Sequence, residues 1–397
     1  MAEKFLMGNE AIALGALDAG VGFVSGYPGT PSTEVLETVA KYNDGSVYVE
    51  WSVNEKSAME AAAGAAYAGA RAMVTMKQVG LNVASDPLMS LAYVGVQGGM
   101  VVLVADDPGP ISSQTEQDTR KFAMFSKLPV FDPSSPEEAY AMVGAAFDLS
   151  EKVQTPVLLR STTRVCHGCA TVRVQDERRV KPAQGFVKDT QRWVIFPRTS
   201  FLNHQKIEAR NPALGDALGN TPFNFVDNAG SGRRGIATHG INYAYTSEAL
   251  ELLCAQAPVL KVGTPFPLPE EKMVAFLRSV DEVLCVEELD PVVSFTFLGL
   301  KRRSRSQVPP GPEASHQKAA RQAHNQQLQR VGQIVEPLGE HTRALFVEVN
   351  QQNAQRGRDR RQAQQGDQEI SPPPVLRQVI HHRHGQNHQN AQLALNQ

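Results

Sequence analysis

The sequence predicts an α/β fold: a parallel sheet covered on both faces, then a smaller α/β unit, then a tail with no core. Three observations carry this. From residue 8 to 160, short apolar runs alternate with helix-length segments. The run 100–105, Met-Val-Val-Leu-Val-Ala, is wholly apolar, as a strand buried on both faces requires. The same alternation resumes after a polar stretch and stops abruptly near Val293.

The elements follow in order. Residues 9–19 read as a helix closed by Gly20, followed by a strand at 22–25 and a helix at 32–42. A strand at 47–51 leads into an Ala- and Gly-rich helix at 55–68. Residues 72–76 are a strand, and 82–94 a helix broken by Pro87. Strands are expected at 100–105, 129–131 and 157–159, with a helix at 135–150. Residues 173–232 are polar and weakly periodic, and read as a connecting segment with a helix or two. Beyond it, strands at 235–238, 258–262 and 282–287 alternate with helices at 242–254 and 269–279. The expected domains are therefore 1–172 and 233–292, joined by 173–232 and followed by 293–397.

Bulk composition narrows the function. The chain has 397 residues and a net charge of −2, but the charge is uneven. Residues 301–397 carry 14 Lys and Arg against 7 Asp and Glu, while the first 300 carry 25 against 34. Four cysteines in such a length are no disulfide framework and suit a reducing cytoplasm. No signal peptide is expected, and no apolar run is long enough to span a bilayer. Arg302, Arg303 and Arg305 lack interleaved aromatics, so neither nucleic-acid nor membrane binding is expected. The tail 293–397 is another matter. Residues 301–397 hold 19 Gln and 7 of the 10 His with no Trp, Tyr or Cys, a composition that cannot bury a core. A genuine disordered tail and a reading-frame shift would both look like this, and the abrupt onset favours the shift.

The stretch Gly26-Tyr27-Pro28-Gly29-Thr30-Pro31-Ser32 ends a strand and opens a helix. Thr30 is the expected N-cap and Pro31 the first helical residue. Such a loop lies at the carboxyl edge of a parallel sheet, where ligands bind. Glu55 opens the helix containing Ala58, Ala61, Ala62, Ala63, Gly64, Ala65 and Ala66. A first-turn carboxylate is ordinary, but small residues on nearly every face allow close approach of another backbone. Lys77-Gln78-Val79-Gly80-Leu81-Asn82 reads as a strand-to-helix loop. Asp106, Asp107, Glu116 and Asp118 are expected to cap turns, pair with Arg120 or shape a subunit contact rather than hold a metal, and no metal ligands are expected elsewhere. Cys166 and Cys169 form a C-x-x-C without a second ligand pair, and are expected to be structural. His239 is read as a strand-end loop histidine without a catalytic role.

An Asn-Glu pair before a small-residue helix resembles the pyrimidine-binding domain of thiamine diphosphate enzymes. With the 26–32 and 77–82 motifs and Asp106-Asp107-Pro108-Gly109, the chain resembles 2-oxoacid:ferredoxin oxidoreductases, above all the α subunits of the indolepyruvate type. Pro265-Phe266-Pro267-Leu268-Pro269 and Val286-Glu287-Glu288-Leu289-Asp290 resemble the second, transketolase C-terminal-like domain of those subunits. The resemblance spans roughly residues 4–292. It implies that Glu55 hydrogen-bonds N1′ of the aminopyrimidine and promotes the tautomer that deprotonates the thiazolium. It implies cofactor contacts from Tyr27, Pro28, Gly29 and Gly80, and substrate contacts from Thr30, Lys77 and Asn82. Gln78 stands where close relatives carry His, which puts a proton-shuttling role there in doubt. The implied reaction is oxidative decarboxylation of an arylpyruvate to an acyl-CoA with reduction of ferredoxin. Implied partners are a β subunit, a second α chain, ferredoxin and coenzyme A. The family's Gly-Asp-Gly…Asn pattern for diphosphate and Mg²⁺ and its cysteine runs for [4Fe–4S] clusters are not in this sequence. The chain alone is therefore expected to be inactive. It could be a frameshifted α subunit, one subunit of a split enzyme, or a non-catalytic scaffold.

Overall fold

The computed structural model describes residues 2–179, 181–297 and 299. The expected tail therefore lies almost entirely outside the described residues.

The first half contains β1 (Ala2–Met7), α1 (Gly8–Asp18), β2 (Phe23–Gly26), α2 (Thr33–Tyr42), β3 (Tyr48–Trp51), α3 (Glu55–Tyr67), β4 (Ala72–Lys77) and α4 (Gln78–Val94). It continues through β5 (Met100–Asp106), α5 (Thr119–Ser126), β6 (Val130–Phe131), α6 (Pro136–Val153), β7 (Val157–Thr162), α7 (Thr163–His167) and β8 (Cys169–Val174). Six strands form one parallel sheet in the order β3-β2-β4-β5-β7-β6. Every residue of β5 is buried, as its wholly apolar run predicts. Helices cover both faces: α1, α2 and α6 pack over one core cluster, α3 and α4 over the other. Strand β1 was not expected from the sequence. Its residues are largely exposed, and it pairs antiparallel with β8 as a separate ribbon.

The polar segment after β8 contains α8 (Thr190–Trp193), α9 (Pro197–Gly219) and β9 (Asn224–Asp227). The remaining elements are β10 (Arg234–Thr238), α10 (Ile241–Leu252), β11 (Val259–Val262), α11 (Glu270–Ser279) and β12 (Glu282–Val286). The second sheet has the order β12-β10-β11-β9, parallel except for β9. It thus draws a strand from the expected connector. Val293 and Phe297, past the expected boundary at 292, are buried in its core.

Charged side chains hold the parts together. Arg71, at the foot of β4, is 1 % exposed. It donates to both carboxylate oxygens of Glu151 (2.8 and 2.9 Å), to Asp148 (2.5 Å) and to the Ala19 carbonyl (2.7 Å). One guanidinium therefore ties β4 to α6 and to the end of α1. Hydrogen bonding from Arg71, helped by Lys181 and opposed by burial, lowers the Glu151 carboxyl to about 2.

A deeper network joins the two sheets. Arg160, in the middle of β7, is fully buried. It pairs with Asp106 at 2.8 Å, Asp132 at 3.1 Å and Glu288 at 2.8 Å. His239, also fully buried, sits 2.7 Å from Asp132 through Nδ1 and 2.5 Å from Arg120 through Nε2. Arginine only donates, so Nε2 must accept and the proton resides on Nδ1. Arg120 also donates to the carbonyls of Glu288 and Asp290. Burial raises the Asp132 carboxyl, but Arg160, His239 and Arg120 outweigh it and hold the group below the usual carboxylate range. Asp106, against the same arginine, is pushed by burial up to about 6. Gly240, at φ +50°, lies so close that a Cβ would stand 2.8 Å from the Asp132 carboxylate. Backbone bonds from Val130 to Phe266 and from Asp132 to Gly263 complete the seam.

Two predictions follow from these pairs. A carboxyl lowered on folding stabilises the fold above its unfolded pKa, and that stability drains away as pH falls toward the folded value. Glu151→Gln should cost about 1 kcal/mol near neutrality, and the cost should vanish as pH falls from about 4.5 to about 2. Urea titrations across that range read it. Arg160→Ala leaves Asp106, Asp132 and Glu288 without the guanidinium they share, and should destabilise by roughly 3–5 kcal/mol. A drop below 1 kcal/mol would deny the network its structural role.

Candidate functional site

The carboxyl ends of β2, β3, β4 and β5 lie side by side on one edge of the first sheet. Gly26 closes β2 against β4, where a Cβ would stand 2.4 Å from the Thr75 hydroxyl. The chain then turns through residues 27–32. Ser32 donates from both its N–H and its hydroxyl to the Gly29 carbonyl, each at 2.9 Å. The Thr33 hydroxyl accepts from the Gly29 N–H at 2.9 Å. Buried Asn9 of α1 fastens the loop by donating to the Pro31 carbonyl and to Glu34. These bonds delay the helix, so Ser32 occupies the N-cap position and α2 starts at Thr33. The expectation that Thr30 caps the helix and Pro31 opens it is thereby corrected. Thr30, Tyr27 and Pro28 are left exposed on the rim, and the Thr30–Pro31 peptide is cis.

At β4 there is no loop of the kind the sequence suggested. Helix α4 begins at once, with extended Lys77 in the N-cap position. The Lys77 stem lies along the glycine loop: a Cβ on Gly29 would come within 3.0 Å of Lys77 Cδ. Gln78 is buried and donates from Nε2 to the Thr115 carbonyl at 3.0 Å, anchoring the segment after β5. Asn82, a turn further on, is exposed.

Glu55 is the first residue of α3, behind Asn54, whose side chain caps the helix by accepting from the Ser57 N–H at 2.9 Å. The Glu55 side chain reaches across to α4. A methyl group at Gly80 would lie 2.6 Å from Glu55 Oε1 and 2.7 Å from its Cγ. Glycine at 80 is what lets the carboxylate rest on the helix backbone. Among the described residues that carboxylate forms no hydrogen bond or ion pair. Ala58, Ala62 and Ala66 of α3 are buried against the sheet, whereas Gly64 faces outward with open space where a Cβ would be.

The segment after β5 lies across the site. Asp107 accepts from the N–H groups of Ile111, Ser112 and Ser113 at 2.9–3.0 Å. The Ser112 hydroxyl then reaches the Thr30 carbonyl at 3.4 Å. Glu116 accepts from the Gly109 N–H, and Asp118 caps α5 and pairs with Arg120 at 2.6 Å. With Asp106, which pairs with Arg160, these four acids act as turn caps and ion-pair partners. Apolar side chains ring the edge: Trp51, Val53, Val83 and Ile111 are all exposed.

The remaining sequence candidates lie elsewhere. Cys166 is buried on Ser161, and burial pushes its thiol up to about 12, while Cys169 is exposed on β8. His239 lies in the loop after β10, as expected, but it is buried and belongs to the seam beside Arg120 and Asp132. No cluster of three or more His, Cys, Asp or Glu that could hold a metal occurs among the described residues. No helix among them is long and apolar enough to cross a membrane.

The family described as pyruvate flavodoxin/ferredoxin oxidoreductase, thiamine diphosphate-binding, matches residues 14–214, just over half the chain. The chain belongs to that family. It is 44 % identical over 295 residues to the indolepyruvate oxidoreductase subunit IorA of Pyrococcus abyssi, covering 72 % of this chain and 46 % of that one. It is 44 % identical over 306 residues to the IorA subunit of Methanothermobacter thermautotrophicus, covering 76 % and 49 %. The chain thus spans about half the length of the curated relatives it matches. In structure it is similar to the 2-oxoglutarate:ferredoxin oxidoreductase of Magnetococcus marinus, with TM-score 0.60 over 75 % of this chain and 59 % of that one, at 19 % identity. That likeness bears on the fold alone. The parallel-sheet α/β fold expected from the sequence stands.

The geometry around Gly80 makes a prediction of its own. Gly80→Ala should displace the Glu55 carboxylate, because the new methyl would occupy its place. The rest of the fold should be indifferent, since Ala is the better helix former by about 1 kcal/mol. A crystal structure of the variant with Glu55 unmoved would refute the contact.

Proposed function

We propose that this chain supplies the aminopyrimidine side of a thiamine diphosphate site in a cytoplasmic oxidoreductase acting on aryl 2-oxoacids. The observation that carries the reading is the unpaired Glu55 carboxylate resting on Gly80 at the carboxyl edge of the sheet. The donor set fits half of the cofactor. A carboxylate suits a ring nitrogen, and the glycine beside it leaves room for a flat heterocycle. Bound thiamine diphosphate would supply the electron sink that decarboxylation of a 2-oxoacid demands.

Each residue then has a task. Glu55 shares a proton with the ring nitrogen N1′ of the aminopyrimidine. Tyr27, Pro28, Gly29 and Gly80 shape the wall against which the cofactor lies. The Thr30 hydroxyl and the Lys77 ammonium meet the substrate's carboxylate and oxo oxygen, and Asn82 adds a hydrogen bond. Exposed Trp51, Val53, Val83 and Ile111 await a cover that excludes water. That cover, with the diphosphate, Mg²⁺ and [4Fe–4S] sites, belongs to other parts of the assembled enzyme. Its members are a β subunit and a second α chain, working with ferredoxin and coenzyme A to give an aryl-acetyl-CoA.

The test needs only binding. The chain has two tryptophans, Trp51 and Trp193. With Trp193→Phe as background, thiamine should quench Trp51 emission. Glu55→Gln should weaken that binding about 10-fold or more, the worth of one charge-assisted hydrogen bond. Equal affinity in the two proteins would remove Glu55 from the role.

A further inference from the structure

Helix α9 is covered on one side only. Ile207, Leu214 and Leu218 are buried, and Asn203 and Asn211 donate to the carbonyls of Tyr93 and Lys127. These residues recur three or four apart and form the inner face. The opposite face shows Arg198, Phe201, Leu202, Ala209, Pro212 and Ala213, all exposed. Phe201 is 62 % exposed, and Phe196, just before the helix, 63 %. Of the twenty large apolar side chains exposed among the described residues, seven lie between positions 186 and 202. Such clustering marks a contact surface, where scattered exposure would not. Tyr93 stands near the end of α4, roughly 20 Å along it from Gly80. The face is therefore separate from the proposed thiamine edge.

Its pattern is complementary to itself reversed. Bulky Phe201 and Leu202 occupy the first half of the helix, and Ala209, Pro212 and Ala213 the second. Arg198 stands in the first turn and Asp216 in the last. They are five whole turns apart and so lie on one line of the helix. Each charge is at the wrong end of its own helix, where a cation meets the positive pole and an anion the negative. Arg198 has no hydrogen-bond or ion-pair partner among the described residues. The Asp216 side chain accepts the Glu271 N–H at 3.4 Å, a long bond. Beside an antiparallel copy of α9 both faults reverse. Each charge then faces an opposite charge and the opposite pole, and each bulky half faces a small one.

We propose that a second copy of this chain docks on this face, α9 against α9, antiparallel about a twofold axis level with Ile207. Arg198 meets Asp216 of the second copy at both ends. Phe201 and Leu202 pack against its Pro212 and Ala213, and Phe196 extends the apolar contact beyond the helix. The contact is isologous and closes at a dimer.

Sedimentation velocity on the full chain tests this. At about 50 μM the chain should sediment as a dimer. Arg198→Asp or Phe201→Ser should halve the sedimenting mass. Both side chains are exposed, so neither change disturbs the core. Arg198→Asp combined with Asp216→Arg restores opposite charges at both ends. That double variant should recover a dimer Kd within about 3-fold of the parent's. A chain monomeric at that concentration overturns the proposal and leaves the face to a partner of another kind. Association untouched by both single variants, or a double variant that stays monomeric, overturns it equally.

Discussion

The buried guanidinium of Arg160 is the constraint on which the arrangement depends. It projects from the middle of a fully buried strand, where a lone charge would be prohibitive. Its partners come from three places: Asp106 at the end of β5, Asp132 after β6, and Glu288 beyond β12. Satisfying it fixes how the second sheet meets the first. The effect reaches the candidate site by a short path. Asp106 also accepts from the N–H and hydroxyl of Thr119, which positions the start of α5. Its neighbour Asp107 folds the 111–113 turn toward Thr30. One wall of the site is thus set by a salt-bridge network that touches no ligand itself.

The opposite wall is set by packing of small residues. Helix α3 lies close to β2 and α4 because its inward positions are alanines. That closeness, with glycine at 80, lets the Glu55 carboxylate rest on α4 rather than fold back into solvent. A larger residue at either place would separate the helices or push the carboxylate away. The site is therefore a product of what is missing from the side chains as much as of what they carry.

Much of this was legible in the sequence. The parallel sheet was, because strands buried on both faces are written as unbroken apolar runs, and β5 is the clearest case. Glu55, Gly80, Lys77 and the 26–32 loop were legible as motifs, and the structure brings them to one sheet edge. Other features were hidden for identifiable reasons. The start of α2 slipped because hydroxyls at 32 and 33 close a turn onto Gly29, a choice among caps that propensity does not decide. Strand β9 escaped because four residues, with Phe225 and Val226 between two polar ones, are too few to show a periodicity. The burial of His239 in its loop was hidden, since its partners lie more than a hundred positions away in the chain. A signal did exist for the seam: Arg160 directly follows Val157-Leu158-Leu159, and a cation at the end of so apolar a run demands buried carboxylates.

The central claim is that the Glu55 carboxylate, held on Gly80, receives the aminopyrimidine ring. A crystal structure of the chain soaked with thiamine tests it most directly. The account predicts the ring over Gly80 with a ring nitrogen within hydrogen-bond distance of Glu55. Thiamine bound elsewhere on the chain, with the Glu55 carboxylate still facing solvent, would contradict it.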